Sequence, residues 1–321
     1  MVALHFDFRA TMTILHRSLF SVLSILLMMS AHGQKPALDL QGHRGARGLY
    51  PENTLAAFDA AVYYGMTTLE LDLHYTVDNQ FVVFHDDRFT ERNCKLPPDR
   101  ELPSMELHEL TLEQIQSVDV GSLRNPDFPD QTLLPPTAPL SFRELMEAMK
   151  VRAEKNPAYQ KIRFNIELKV SEASVEQLDF VKVAHEMVAI LDEYGVRSRS
   201  TIQSFYIPFI AIMENEVGEI QTSALFSPTR FQGLRLKLGL GANSKKIMRQ
   251  ALEAKADIVS PHYLYASKSF IARCHDKGLQ VIPWTVNDPK TTLQLFRNGV
   301  DGIISDYPNR LAQAYHEWSK S

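Results

Sequence analysis

The chain has 321 residues, 45% hydrophobic, 22% charged and 9% aromatic, an ordinary globular composition that excludes disordered, collagen-like and coiled-coil classes. Thirty-four Lys and Arg against 38 Asp and Glu give a formal charge of -4, which excludes an overall electrostatic footprint for nucleic acid or an anionic membrane. Length alone does not choose between two ordinary domains and one α/β barrel of about 250 residues.

The N-terminus reads as an address. Arg9 and Arg17 precede the apolar run 18–29, and Ala31-His32-Gly33 supplies small residues just before Gln34, the layout of a signal peptide over residues 1–33. The run falls short of the roughly 20 residues that span a bilayer. The expectation is therefore export, to the periplasm or the medium, with no stable membrane anchor. Cysteine occurs twice, at Cys94 and Cys274, so there is no disulfide scaffold, and at most one bridge can form.

From residue 38 onward, short β-rich runs alternate with helical-period segments, the pattern of a parallel sheet covered by helices. Strands are predicted over 38–42, 68–73, 81–85, 162–168, 201–205, 221–226, 257–260, 280–285 and 302–305. Helices are predicted over 54–64, 142–150, 175–194, 207–215, 244–254, 267–277 and 289–298. Nine strands is one too many for an eight-stranded barrel. The excess sits between the second and third strands, where there is no room for a crossover helix and Asp78-Asn79 is a turn signal, so these two form an antiparallel hairpin. A two-residue turn centred on Asp78-Asn79 places His85 opposite Asp72. Residues 87–140 are proline-rich, with one helical patch at 110–118, and read as an insertion. The chain divides into the signal segment 1–33 and a single domain 34–321 carrying that insertion after the third strand.

In Thr68-Leu69-Glu70-Leu71-Asp72-Leu73, strand alternation sends Glu70 and Asp72 to one face and the leucines to the other. Glu167 and Lys169 repeat the pattern in Phe164-Asn165-Ile166-Glu167-Leu168-Lys169. Three carboxylates that repel one another out of bulk water call for a hard divalent cation, Mg²⁺ or Ca²⁺. A solvent-facing polar strand edge is the simpler alternative for either pair alone. His43 ends the first strand between glycines that leave room for a substrate to approach the backbone. His85 ends the third strand, and two imidazoles flanking a cation can serve as general acid and base near neutral pH. Arg44 and Lys169 add positive charge toward a substrate anion, or pair with the neighbouring carboxylates.

His43-Arg44-Gly45, Pro51-Glu52-Asn53-Thr54, Glu70-Leu71-Asp72, Val83-Phe84-His85-Asp86, Glu167-Leu168-Lys169 and Asp301-Gly302-Ile303-Ile304-Ser305-Asp306-Tyr307-Pro308, in that order, resemble the glycerophosphodiester phosphodiesterase family. The resemblance implies a TIM (β/α)8 barrel with a small insertion after the His-Asp motif. It implies Glu70, Asp72 and Glu167 as metal ligands, His43 and His85 as acid and base, and Arg44 and Lys169 as phosphate-binding. Trp284 matches the family's aromatic near the substrate, and a packed core Trp fits it equally well. Asp78-Asn79 stands where the family usually has Asp-Gly. The implied reaction is hydrolysis of a small glycerophosphodiester to glycerol 3-phosphate and an alcohol, by water or by the substrate's own glycerol hydroxyl. Phospholipase D-like or phosphoinositide phospholipase activity on lipids is the alternative, and it requires an exposed apolar rim, for which Phe226, Phe231, Leu234, Leu236, Leu238 and Leu240 are candidates. A non-catalytic barrel would lack a ligand or a His, and none is missing.

Overall fold

Nine strands form in the computed structural model, which describes residues 37–99, 101–238 and 244–321. The expected signal segment 1–33 and Leu240 lie outside the described residues. The strands are β1 (Asp39–Gly42), β2 (Thr68–Tyr75), β3 (Phe81–Val83), β4 (Arg163–Leu168), β5 (Ser200–Ser204), β6 (Gln221–Phe226), β7 (Ile258–Pro261), β8 (Gln280–Val281) and β9 (Gly302–Ser305). Eight of them pair in the order β8-β7-β6-β5-β4-β2-β1-β9, parallel throughout. Backbone hydrogen bonds from Asp301 to Val281, Ile304 to Pro283 and Val286 to Ile304, at 3.0 to 3.1 Å, link the two ends of that order. The result is a nearly closed eight-stranded parallel barrel, the TIM fold. β8 is shorter than predicted because Pro283 has no N–H to donate to a ladder.

The outward strand faces carry the main core. Leu69, Leu71 and Leu73 of β2 and Phe164, Ile166 and Leu168 of β4 are fully buried against helices such as Leu55–Tyr63, Phe142–Lys155 and Phe180–Glu193. Each such side chain contributes about 1.5–3 kcal/mol of burial, the force that fixes which face of β2 and β4 looks inward. The helix predicted over 175–194 is broken. A short turn, Glu172–Val175, capped by Ser171, precedes Phe180–Glu193, whose first N–H groups are taken by Asp179, and an acidic cap is a restart signal.

β3 runs antiparallel to β2, as the hairpin argument requires, but one residue out of the expected register. Leu73 pairs with Val83 and Tyr75 with Phe81, so Phe84, whose N–H donates to the Asp72 carbonyl at 3.2 Å, takes the place predicted for His85. The turn has three residues, not two. Thr76 N–H donates to Gln80 O, and Asn79 adopts a left-handed φ of 59°, the conformation that Gly usually supplies in three-residue hairpin loops. His85 therefore lies beyond the end of the strand. Between β3 and Phe142–Lys155 the chain adds Leu107–Glu109 and Leu112–Ile115 and a separate small cluster that includes Phe84, Phe89, Leu107, Leu110 and Ile115. Cys94 lies in that cluster and Cys274 in the main core, both free, so no bridge joins them.

Candidate active site

Register decides which polar side chains meet inside the barrel. The pairing of β2 with β4 sets Asp72 beside Glu167 and Glu70 beside Asn165. Glu70, Asp72 and Glu167 can each offer one oxygen such that all lie within 4.8 Å of one another, and all three are buried. Below them an amide chain crosses the interior. Gln203 donates to Glu70 Oε1 (2.9 Å), Asn165 donates to Gln203 Oε1 (3.0 Å) and to Gln41 Oε1 (2.7 Å), and Gln41 donates to Asp39 (2.9 Å). Asn165 Oδ1 in this chain is buried and accepts no hydrogen bond, and the Gln203 N–H orients Glu70.

Two cations face the three carboxylates. Lys169 Nζ lies 2.8 Å from Glu167 Oε1 and 3.8 Å from Asp72 Oδ1, while Arg44 Nε lies 3.4 Å from Asp72 Oδ2. The paired state, the simpler of the two roles expected for Arg44 and Lys169, is thus the one present. The compensation is incomplete. Burial, then Asp72 and Glu167, push Glu70 well above the usual carboxylate range. Burial raises Asp72 too, but His85, Arg44 and Lys169 outweigh it and hold that group ionised. Asp72 Oδ1 is buried with no hydrogen-bond partner. An oxygen-only donor set with an orphaned anionic oxygen fits a hard dication.

His43 continues β1, its N–H donating to Ser305 O at 2.9 Å. The β1–β9 register, Gly42 opposite Ser305, brings the next residues, His43 and Asp306, level, and Nδ1 lies 2.5 Å from Asp306 Oδ1. Asn287 donates to the other carboxylate oxygen at 2.6 Å. Burial opposes its charge, yet His43 and its other partners keep the Asp306 carboxyl at about 2. An ionised carboxylate only accepts, so Nδ1 carries the proton and Nε2 is free. Burial lowers the His43 pKa, and Asp306 only partly restores it. The two glycines serve the turn. A Cβ on Gly42 would lie 2.2 Å from Gly45 O, and Gly45, at φ 83°, packs on Ala57. Arg44, also left-handed at φ 48°, aims its N–H at Glu70 Oε2, 2.8 Å away.

His85 makes a second pair, Nδ1 to Asp86 Oδ1 at 2.7 Å, and Asn93 holds the other oxygen of that carboxylate at 2.7 Å. Six of the eight residues expected at the site, His43, Arg44, Glu70, His85, Glu167 and Trp284, line one cleft of about 170 Å³. Asp72 lies beneath it, fully buried, and Lys169 lines a smaller neighbouring pocket. Trp284 is half-buried, donates Nε1 to Ser260 O at 2.8 Å and meets Phe205 edge-on, so it is both a packed side chain and a cleft wall.

Four side chains that hold the site were not singled out from the sequence. Glu52 grips Arg44 at 2.7 Å and Arg47 at 2.5 Å. Asn53, at φ 58°, donates to Asp72 Oδ2 at 3.0 Å. Asp306 pairs with His43. His74, two residues past Asp72 on the same face, lies 3.2 Å through Nε2 from His85 O. Glu52, Asn53 and Asp306 stand inside the motifs that carried the resemblance.

Residues 43–310 match the model of the glycerophosphoryl diester phosphodiesterase family. The chain belongs to that family. It is 31% identical over 267 residues to YhdW of Bacillus subtilis, covering 83% of this chain and 93% of the relative. A glycerophosphodiester phosphodiesterase of Caldanaerobacter subterraneus is 26% identical, over 84% of this chain and 94% of the relative. Among solved structures, a Silicibacter pomeroyi protein superposes with a TM-score of 0.76 at 25% identity, covering 89% of this chain and 95% of that one. The fold of an Oleispira antarctica phosphodiesterase, solved with the product sn-glycerol-3-phosphate, matches with a TM-score of 0.65 at 21% identity, over 87% and 96% of the two chains.

Proposed function

We propose that this protein is a divalent-cation-dependent phosphodiesterase that hydrolyses small glycerophosphodiesters to glycerol 3-phosphate and an alcohol. The observation that carries the reading is one cleft, in a chain of this family, where a three-carboxylate cluster meets two carboxylate-paired histidines. Glu70, Asp72 and Glu167 hold the ion, Mg²⁺ or Ca²⁺. When bound it supplies positive charge for the phosphate oxygens. Arg44 and Lys169, preset by their carboxylates, contact the remaining phosphate oxygens, and Trp284 packs against the substrate.

His43 is the general base in this reading. Burial keeps its imidazole neutral, and the Asp306 tie leaves Nε2 free to take the proton of the attacking hydroxyl, that of water directly or that of the glycerol itself, in which case water then opens the resulting cyclic phosphate with the two histidines in exchanged roles. His85, at the more open end, gives a proton to the leaving alkoxide as the phosphorus–oxygen bond to the alcohol breaks. One proton enters His43 and one leaves His85, and solvent resets both. The domain is residues 34–321 with the insertion 87–140, and residues 1–33 direct export to the periplasm or medium before they are cleaved. Among the described residues no helix is long and apolar enough to cross a membrane. The test is release of glycerol 3-phosphate from a panel of glycerophosphodiesters, with and without chelator. Full turnover in excess chelator, or no release from any substrate with metal present, rejects the reading.

A further inference from the structure

Positive charge and exposed apolar surface coincide at one place outside the cleft. From Ser227 to Leu238 the chain carries three Lys or Arg and no Asp or Glu, against a chain-wide charge of -4. The segment leaves the C-terminal end of β6, so it lies on the barrel face where the strand ends present Glu70, Asp72 and Glu167. Its first part is the helix Arg230–Lys237, opened by a capping box in which Thr229 and Gln232 satisfy each other's N–H groups. A surface helix ordinarily turns an apolar stripe to the core. This one buries none of its residues. Phe231 is 69% exposed, Leu234 56% and Leu238, at the C-cap, 64%, and spacings of three and four residues set them along one flank.

The helix borders the cleft. Gln232 Oε1 accepts from Tyr265 Oη at 3.4 Å, tying the helix to the turn Tyr263–Tyr265 after β7. There His262 stacks on Tyr263 and meets Trp284, a cleft wall, edge-on at 5.7 Å. We propose that residues 229–238 form a docking lip for an anionic lipid surface. Phe231, Leu234 and Leu238 enter the acyl boundary, and Arg230 and Lys237 on the same helix take the head-group phosphates. Projecting large apolar groups beside basic ones, with no acidic residue among them, are what an anionic bilayer recognises, and the chain's net negative charge makes the local excess the more selective.

The test is co-sedimentation of the full chain with vesicles of phosphatidylcholine containing roughly 30% phosphatidylglycerol. The triple variant Phe231→Ser, Leu234→Ser, Leu238→Ser is expected to bind at least about tenfold more weakly than wild type. Arg230→Glu with Lys237→Glu, or vesicles of phosphatidylcholine alone, should cost a similar factor that high salt mimics. Turnover of a soluble glycerophosphodiester should be unchanged in each variant, which reports an intact fold. Any binding through the N-terminal apolar run is common to all the chains, so the difference is what counts. Equal vesicle binding by wild type and triple variant, including none by either, overturns the lip. Loss of soluble turnover by wild type would instead overturn the phosphodiesterase reading, and the two failures are separate.

Discussion

His43 and His85 both present Nδ1 to an aspartate, at 2.5 and 2.7 Å, but the chain builds the two pairs from different materials. The partner of His43 is 263 residues away in sequence, 5% exposed through its side chain and locked by Asn287. It exists only because β1 and β9 close the barrel. The partner of His85 is its own neighbour, 45% exposed, and held by Asn93 from the segment that follows β3. One pair is thus a product of the global fold and the other of a local loop. Even the acidic cluster divides this way. Glu70 accepts the N–H of Arg44, next to His43, while His85 is the first charge that holds Asp72 ionised against burial.

The largest effects should fall on what the two pairs share. Glu70→Gln or Asp72→Asn should lose metal affinity and turnover together, the latter by about 10³-fold or more, since a bound cation supplies several kcal/mol of charge stabilisation. Calorimetry beside kinetics checks it, and a rate loss with unchanged metal binding would remove the residue from the ligand set. The raised pKa of Glu70 adds a sign. A carboxyl that holds its proton in the folded, metal-free protein costs stability as pH rises from its ordinary range through the raised value, and metal must displace that proton. Apparent metal affinity should therefore climb with pH and then level off, and Glu70→Gln should flatten the climb. An affinity independent of pH in wild type would contradict the repulsion argument.

Splitting the pairs comes next. His43→Ala and His85→Ala should each cost at least about 10²-fold on an ordinary glycerophosphodiester. A nitrophenyl ester, whose leaving group needs no proton, should largely spare His85→Ala and not His43→Ala. The reverse pattern would exchange the two roles. Replacing the partners should be unequal as well. Asp306→Asn strands a buried imidazole without the anion that sets its tautomer, and about 10²-fold in turnover is expected, the scale of a lost charge-assisted bond plus a wrong tautomer. Asp86→Asn leaves a half-exposed ring that water can serve, so about tenfold or less is expected. Equal losses from the two substitutions would erase the distinction between a fold-built pair and a loop-built one.

What the sequence shows of this arrangement follows the same division. Short β-rich runs between helical-period segments located all nine strands, and alternation within the second gave the shared face of Glu70 and Asp72, because both are local information. The hairpin register escaped by one residue. Asp78-Asn79 suits a two-residue turn or a longer one, and Asn79 tolerates the left-handed conformation that makes it three. His43–Asp306 was not read because nothing local joins residues 263 positions apart. The helix Pro308–Ser319 was overlooked although Pro308 at its start and Leu311, Ala314 and Trp318 at helical spacing are ordinary signals. Arg230–Lys237 has the Thr229–Gln232 capping box but no buried stripe, so periodicity was silent.

The smallest effect separates the two histidines by their backbone. His43 is tied through its own N–H to Ser305 O, at 2.9 Å. His85, past the end of β3, is tied instead through its carbonyl, to Nε2 of His74 at 3.2 Å. A carbonyl only accepts, so Nε2 of His74 carries the proton. Burial, then the charge of Lys169, brings the His74 pKa down to about 4, so the ring is a neutral donor throughout the working range and contributes no charge of its own. His74→Phe keeps the ring volume and removes the donor. Loss of one neutral hydrogen bond is worth about 0.5–1.5 kcal/mol, a drop of roughly two- to twelvefold in kcat, with KM little changed. If His74 acts by placing His85, the nitrophenyl ester should be spared in His74→Phe as in His85→Ala, and His74→Gln, which retains an N–H, should recover part of the loss. A drop of equal size on both substrates would mean that β2 supports the barrel at this point without steering the second histidine.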